Sequence, residues 1–237
     1  MRAQNVIHIH VGKCAGSTLN ACLHQAGIIF TELHGRKAKS QLEAILRSGI
    51  PEPVFLVTVR DPISRFISAF NYDRLRTLRD EVGELGGLQK KIWHTVFSRF
   101  AEPNCLAEGL SSSEIGAQRL ARWACSRLSS SHVGLGLAEY MSMDAVLRLP
   151  AEHTHCFHQE SLSSDIPILF TKLGYPAPSY IPVINSSTTP QSIENPLIAD
   201  RHKISVAGEK NLQRHLAEDY RIMRILEERF SRVSETA

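Results

Sequence analysis

The stretch Val6-Ile7-His8-Ile9-His10-Val11-Gly12-Lys13-Cys14-Ala15-Gly16-Ser17-Thr18-Leu19 decides the fold of this 237-residue chain. Its first six residues have the length and β-branched content of a buried strand. Only His8 and His10 interrupt it, and alternation places both on one face. A loop of small residues around one lysine follows, and Ser17 then opens a helix expected to run to Gln25 and end near Gly27. Small residues let successive backbone N–H groups converge on an anion, a helix start adds its positive end, and Lys13 adds a full charge. The expectation is a phosphate-binding loop, against the plainer one of a tight turn that only lets the helix pack on the strand. Lys13 precedes Gly16, whereas the Walker sequence G-x-x-x-x-G-K-[ST] places its lysine after the glycine, so an ordinary ATPase or GTPase is disfavoured.

A second stretch echoes the first. Val54 to Val59 is a continuous apolar run of the kind found in parallel sheets covered on both faces, and it ends at Arg60. Asp61 and Pro62 then supply an N-cap and a first helical residue. Ser68 lies about two helical turns further on, so Arg60 and Ser68 reach one anion only if the helix folds back beside the strand end. An internal salt bridge of Asp61 with Arg60 or Arg65 is the structural alternative.

Between these stretches, Gly27 to Thr31 reads as a short strand and Glu32 to Lys37 as a polar turn. Ser40 to Arg47 reads as a helix capped by Ser40 with Glu43 in a capping box. Alternating strands and helices mean an α/β fold class with a parallel central sheet flanked by helices, whose ligands bind at the carboxyl ends of strands. From Asp73 to about Leu149 the sequence is helical, with breaks near Glu81 to Gly87 and Ser111 to Ser113. His153 to Gln159 reads as a further strand and Leu162 to Leu173 as a helix. Tyr175 to Pro196 is a long loop with the composition of a lid. Ser205 to Phe230 reads as one amphipathic helix.

The length suits one domain over residues 1–237. An apolar share of 43 % and a charged share of 22 % exclude disordered and fibrous classes, and a net charge of +3 fits a local anion pocket better than a nucleic-acid footprint. No apolar run is long enough for a membrane span and no signal peptide is evident, so the expectation is a soluble, cytoplasmic chain. Five scattered cysteines without a C-x-x-C pair argue against a disulfide framework.

His10 to Leu19 resembles the 5′-phosphosulfate loop of the sulfotransferases, H-[IV]-P-K-[TC]-[GA]-[GS]-[ST]-[ST]. Val59 to Phe70 is similar to their 3′-phosphate motif, R-D-P-x-x-R-x-x-S-x-[YF]. The resemblance is to the carbohydrate branch that includes heparan sulfate 2-O-sulfotransferases. Gly12 departs from it where proline is usual, as does Phe157-His158-Gln159-Glu160 where F-V-G-x-[TS]-E is common, and Asn185-Ser186-Ser187 is only loosely alike.

The resemblance implies a P-loop NTPase-like sulfotransferase fold and the sulfuryl donor 3′-phosphoadenosine-5′-phosphosulfate (PAPS), which leaves as 3′-phosphoadenosine-5′-phosphate (PAP). Lys13, Ala15, Gly16, Ser17 and Thr18 would hold the 5′-phosphosulfate, with Lys13 also neutralising the leaving oxygen. Arg60 and Ser68 would hold the 3′-phosphate. No metal is required, and the acceptor is a hydroxyl, of a saccharide by analogy with the branch.

His34 is the candidate general base, because His34-Gly35-Arg36 keeps the first histidine of the branch's H-G-H sequence; a surface turn histidine is the alternative, and Glu32 is the spare candidate. Arg36, Lys37 and Lys39 form a basic cluster that suits an acidic acceptor or simply a solvated face. His10 has no assigned role, and His8 reads as core. His153, His155, Cys156 and His158 are dense enough to raise zinc, but strand alternation splits them between two faces. An atypical P-loop kinase or nucleotide hydrolase, a non-catalytic nucleotide sensor, and last a nucleic-acid binder using Arg74, Arg76 and Arg79 are the rival readings.

Overall fold

The computed structural model describes residues 5–79, 87–182, 184 and 203–230. In chain order the elements are β1 (Asn5–Ile9), α1 (Gly16–Gln25), β2 (Phe30–Leu33), α2 (Ala38–Arg47), β3 (Pro53–Val59), α3 (Pro62–Leu78), α4 (Gly87–Arg99), α5 (Pro103–Gly109), α6 (Ile115–Ala124), α7 (Met143–Arg148), β4 (Thr154–His158), α8 (Leu162–Lys172), α9 (Val206–His215) and α10 (Ala217–Arg229), with short 3-10 turns between some of them. They group into two compact units. One comprises Met1–Arg60, Leu137–Ser186 and Asp219–Ala237, and the other Asp61–Gly136 and Ser187–Glu218.

The first unit holds the sheet. Its four strands run parallel in the order β2-β1-β3-β4. The chain steps outward from β1 to β2, then returns past β1 to β3, so the direction of winding reverses between β1 and β3. Ligands of open parallel sheets bind outside the strand ends at such a point. Val6 and Leu56 on one face are buried against Leu19 and Leu23 of α1 and Ile166 and Phe170 of α8. Ile7, Ile9, Phe55 and Val57 on the other face are equally buried. Burial on both faces explains the apolar residues Val54 to Val57 and Val59 of β3, with Thr58 the one polar side chain among them, and each such apolar side chain contributes about 1.5–3 kcal/mol.

The second unit is helical. Asp61 caps α3 by accepting from the Ser64 N–H at 2.8 Å with Pro62 in the first turn, as the sequence implies. The Asp73 carboxylate accepts from His132 Nδ1 (2.8 Å) and the Val133 N–H (3.0 Å), tying α3 to the segment after α6. Trp93 stacks on Phe97 and donates its indole N–H to the Ser129 carbonyl. Burial pushes the Cys125 thiol up to about 12, even against the nearby Arg65 guanidinium, which makes it inert filling. No two of the five cysteines are joined in a disulfide.

Three expectations need correction. The second strand is Phe30–Leu33, later than Gly27 to Thr31, because its ladder with β1 pairs His8 with Glu32 and Ile9 with Leu33; Ile29 is left exposed. Glu32 therefore stands in the sheet and not in a turn. Ser40 and Glu43 form no capping box, since a 3-10 turn at Gly35–Lys37 feeds α2 two residues before Ser40. Ser40 donates to the Lys37 carbonyl, and Glu43 accepts from Ser142 and pairs with Arg148. The terminal amphipathic stripe is two helices: Leu216 leaves α-geometry (φ −95, ψ 17), and the carboxylate of Asp219, just beyond it, accepts from the Leu137 and Ala138 N–H groups. Most of the lid-like loop, including Asn185-Ser186-Ser187, and most of the break from Glu81 to Gly87 lie outside the described residues. No helix among the described residues is long and apolar enough to cross a membrane.

Candidate functional site

The link from β1 to α1 is backbone under strain. Lys13 (φ 70) and Ala15 (φ 61) both occupy the left-handed region, which costs a residue with a Cβ about 1–3 kcal/mol. Such turns aim neighbouring N–H groups to one side and form concave anion sites. Ala15 is the N-cap of α1 and supplies no side-chain hydrogen bond there. A serine or aspartate in its place would satisfy an amide of the first turn; alanine leaves that turn open to an anion. The Gly12 N–H is held by the Tyr140 hydroxyl at 3.1 Å, which anchors the start of the loop from far away in sequence. Lys13, Ala15 and Ser17 are half-buried, while Gly16 and Thr18 are buried.

Gly16 has a reason beyond anion approach. A Cβ built on it would lie 2.1 Å from Cδ2 of His10, so the imidazole rests directly against the start of α1. His10 in turn belongs to a grid. The parallel register sets His8 beside Glu32, and the i, i+2 rule places His10 and His34 next to them on the same face. Alternation alone put His8 and His10 on one face, and their rings stack at 5.3 Å.

Hydrogen bonds run through the grid in a defined direction. Asn20 Nδ2 donates to Glu32 Oε1 at 2.8 Å, so its Oδ1 faces His8 and accepts from His8 Nδ1 at 2.6 Å. His10 Nδ1 donates to Glu32 Oε1, and His34 Nδ1 donates to the His10 carbonyl at 2.8 Å. A carbonyl only accepts, so neutral His34 carries its proton on Nδ1 and its lone pair on Nε2. Burial raises the Glu32 carboxyl, but the hydrogen bonds from His10 and Asn20 and the charges of His10 and His34 outweigh it and hold the group below its usual range.

Burial, with the neighbouring His10, pushes His8 down from 6.5 to about 3, and its Nε2 is buried without a hydrogen-bond partner. Folded His8 thus stays neutral at pH values where the unfolded chain takes up a proton. Stability is full above the unfolded value and is lost as pH falls from 6.5 toward 3. At about pH 4.5 the loss from this residue is about 2–3 kcal/mol relative to neutral pH. Urea unfolding across that range, with a chelator present, should show this slope. His8→Asn keeps a donor for Asn20 and cannot titrate, and it should flatten the slope.

Arg60 closes the sheet unit at the end of β3, half-buried, with its Nε enclosed and lacking a hydrogen-bond partner among the described residues. Ser68 lies half-buried on α3 in the helical unit. In the basic cluster, Arg36 and Lys37 are exposed in the 3-10 turn, while Lys39 donates to the Ala138 carbonyl. At the opposite edge of the sheet His158, the last residue of β4, pairs with Glu227.

Lys13, Ala15, Gly16, Ser17, Thr18 and His34 therefore gather around the carboxyl ends of β1 and β2, with Glu32 behind them. Sequence reasoning missed Tyr140, for which no local signal exists, and Asn20, an unremarked helix position. It left His10 without a role, although the spacings His8-x-His10 and Glu32-x-His34 on neighbouring strands carried the signal. Comparison of the chain with protein-family models, with curated proteins and with solved structures gave no match.

Proposed function

We propose that the chain is a sulfotransferase with a P-loop-like sulfotransferase fold, moving a sulfuryl group from PAPS to a hydroxyl, with a carbohydrate as the acceptor class. The observation that carries the reading is the β1–α1 turn: two left-handed residues, a helix start without a side-chain cap, and Lys13, all at the reversal point of a parallel sheet. Backbone strain of this kind clusters at ligand clamps, and it is accounted for if the turn grips an anion. The enclosed Nε of Arg60, at the end of the adjacent strand, supports a second anionic contact. The partnership of Arg60 with Ser68 at a 3′-phosphate rests on the motif spacing.

The chemistry follows from these roles. The acceptor oxygen attacks sulfur in line, the bond from sulfur to the bridging phosphate oxygen breaks, and the electron pair leaves on PAP. The acceptor proton passes to His34 Nε2. Lys13 and the amides of the turn stabilise the charge that grows on the leaving phosphate. Glu32, occupied by His10 and Asn20, is the poorer base.

The test is turnover. With sulfur-35-labelled PAPS and a panel of neutral, uronate-containing and already sulfated saccharides, label should move to an acceptor with release of one PAP per transfer. Hydrolysis of ATP without any sulfuryl transfer would instead indicate a kinase or hydrolase.

A further inference from the structure

We propose that His10, Glu32 and His34 form a binding site for a divalent cation of zinc type at the edge of the sheet. The proposal rests on the β1–β2 edge and not on the sulfuryl-transfer reading. The ligating atoms of these three side chains all lie within 4.8 Å of one another. Tetrahedral zinc with bonds of about 2.0–2.1 Å holds its ligand atoms about 3.3 Å apart, so side-chain adjustments of about an ångström close the site. Two imidazoles and a carboxylate suit zinc, cobalt or nickel, whereas magnesium prefers all-oxygen ligands.

The site is built on rigid parts. His10 directly follows β1, Glu32 lies within β2, and His34 follows β2 directly, with the strands locked in register. Metal-binding histidines characteristically donate their second ring N–H to a carbonyl or carboxylate, which fixes the tautomer. His34 already does so through Nδ1 to the His10 carbonyl, presetting Nε2 as a ligand atom. Glu32 is held by Asn20, and Asn20 is held in turn by His8, so the carboxylate has its own supporting layer. His8 itself, wholly buried with an unpartnered Nε2, stacks on His10 and stiffens its ring. Three protein ligands leave a fourth position for water. A cation there engages the His34 Nε2 lone pair, so that, if His34 is the base of the transfer proposed above, the loaded state could not use it as one.

The experiment is zinc titration of the metal-stripped full chain by calorimetry, with cobalt(II) absorption as the geometric readout. The expected result is one zinc per chain with a dissociation constant of about micromolar or tighter, visible cobalt bands of four-coordinate intensity, and no response to magnesium. His34→Gln and Glu32→Gln, both at exposed positions, should each weaken zinc at least tenfold, with the folded circular dichroism spectrum retained in both. Asn20→Ala should weaken it about 10–100-fold through the supporting layer. Absence of stoichiometric binding overturns the proposal, as does undiminished binding in both His34→Gln and Glu32→Gln. PAP binding, measured on the same samples, reports separately on the nucleotide site.

Discussion

Replacing Lys13 by alanine is expected to lower kcat for sulfuryl transfer by about 10²–10³-fold, the usual cost of deleting one preorganised stabiliser of developing charge. The reason lies in where the lysine sits. Its backbone is held left-handed at φ 70 in the turn that leads to an α-helix start without a side-chain cap. The fold accepts strain to place this residue there, and a phosphate leaving group needs most help as its bond to sulfur breaks. Affinity for PAP should fall by less than kcat does, because the charge at stake is larger in the transition state than in the ground state. Lys13→Arg restores charge but not shape, and should recover affinity better than turnover. Steady-state kinetics paired with PAP calorimetry measures the split. Equal losses in PAP affinity and in kcat/KM, with kcat unchanged, would make Lys13 a binding residue only.

The second large effect is expected at His34. If His34 is the base, as proposed, its loss leaves the acceptor hydroxyl without one, and kcat should fall about 10²–10⁴-fold in His34→Ala while KM for PAPS stays within a factor of about two. Glu32 stands close by but is a different kind of group. It accepts from both His10 and Asn20, and those bonds hold its carboxyl below the usual range, which weakens it as a base. Glu32→Gln should therefore act on the grid, disturbing His10 and the packing against Gly16, and cost less turnover than His34→Ala. A larger loss in Glu32→Gln than in His34→Ala would transfer the role to the glutamate. A pH–rate profile discriminates further, since loss of the ascending limb in His34→Ala identifies the group that must be deprotonated.

Much of this was legible in the sequence because it is local. The buried strand at Val54 to Val59, the aspartate cap with its proline at α3, and the small-residue turn with its lysine each follow from residues within a few positions of one another. What was not legible depends on pairing between segments. The register that moves β2 to Phe30–Leu33 is set by its ladder with β1, and that register turns Glu32 from a turn residue into a member of the histidine–carboxylate grid at the sheet edge. Ser40 and Glu43 have capping-box spacing, but Glu43 is drawn to Ser142 and Arg148, roughly a hundred positions later. The break at Leu216 is invisible in an apolar stripe that continues on both sides; its context is Asp219, which holds the amides of Leu137 and Ala138. Tyr140 reaches the loop across 128 positions, and nothing near it in sequence announces the contact.

The role of His10 shows how the two levels combine. As sequence it was part of a loop motif. In the fold it is buried against Gly16, hydrogen-bonded to Glu32 and stacked on His8, so a substitution there acts through neighbours on two strands and a helix. Adding even one methyl at Gly16 forces this ring aside, an overpacking that costs about 1–3 kcal/mol where no relaxation is available.

The central claim is that the chain recognises a nucleotide carrying both a 5′ and a 3′ phosphate, and it is tested most directly by comparing PAP with 5′-ADP in calorimetry. PAP should bind about 10–100-fold more tightly, the worth of the charge-assisted contacts to the 3′-phosphate, and Arg60→Ala should remove most of that preference while leaving 5′-ADP affinity unchanged. Equal affinity for PAP and 5′-ADP in the unaltered chain would contradict the account.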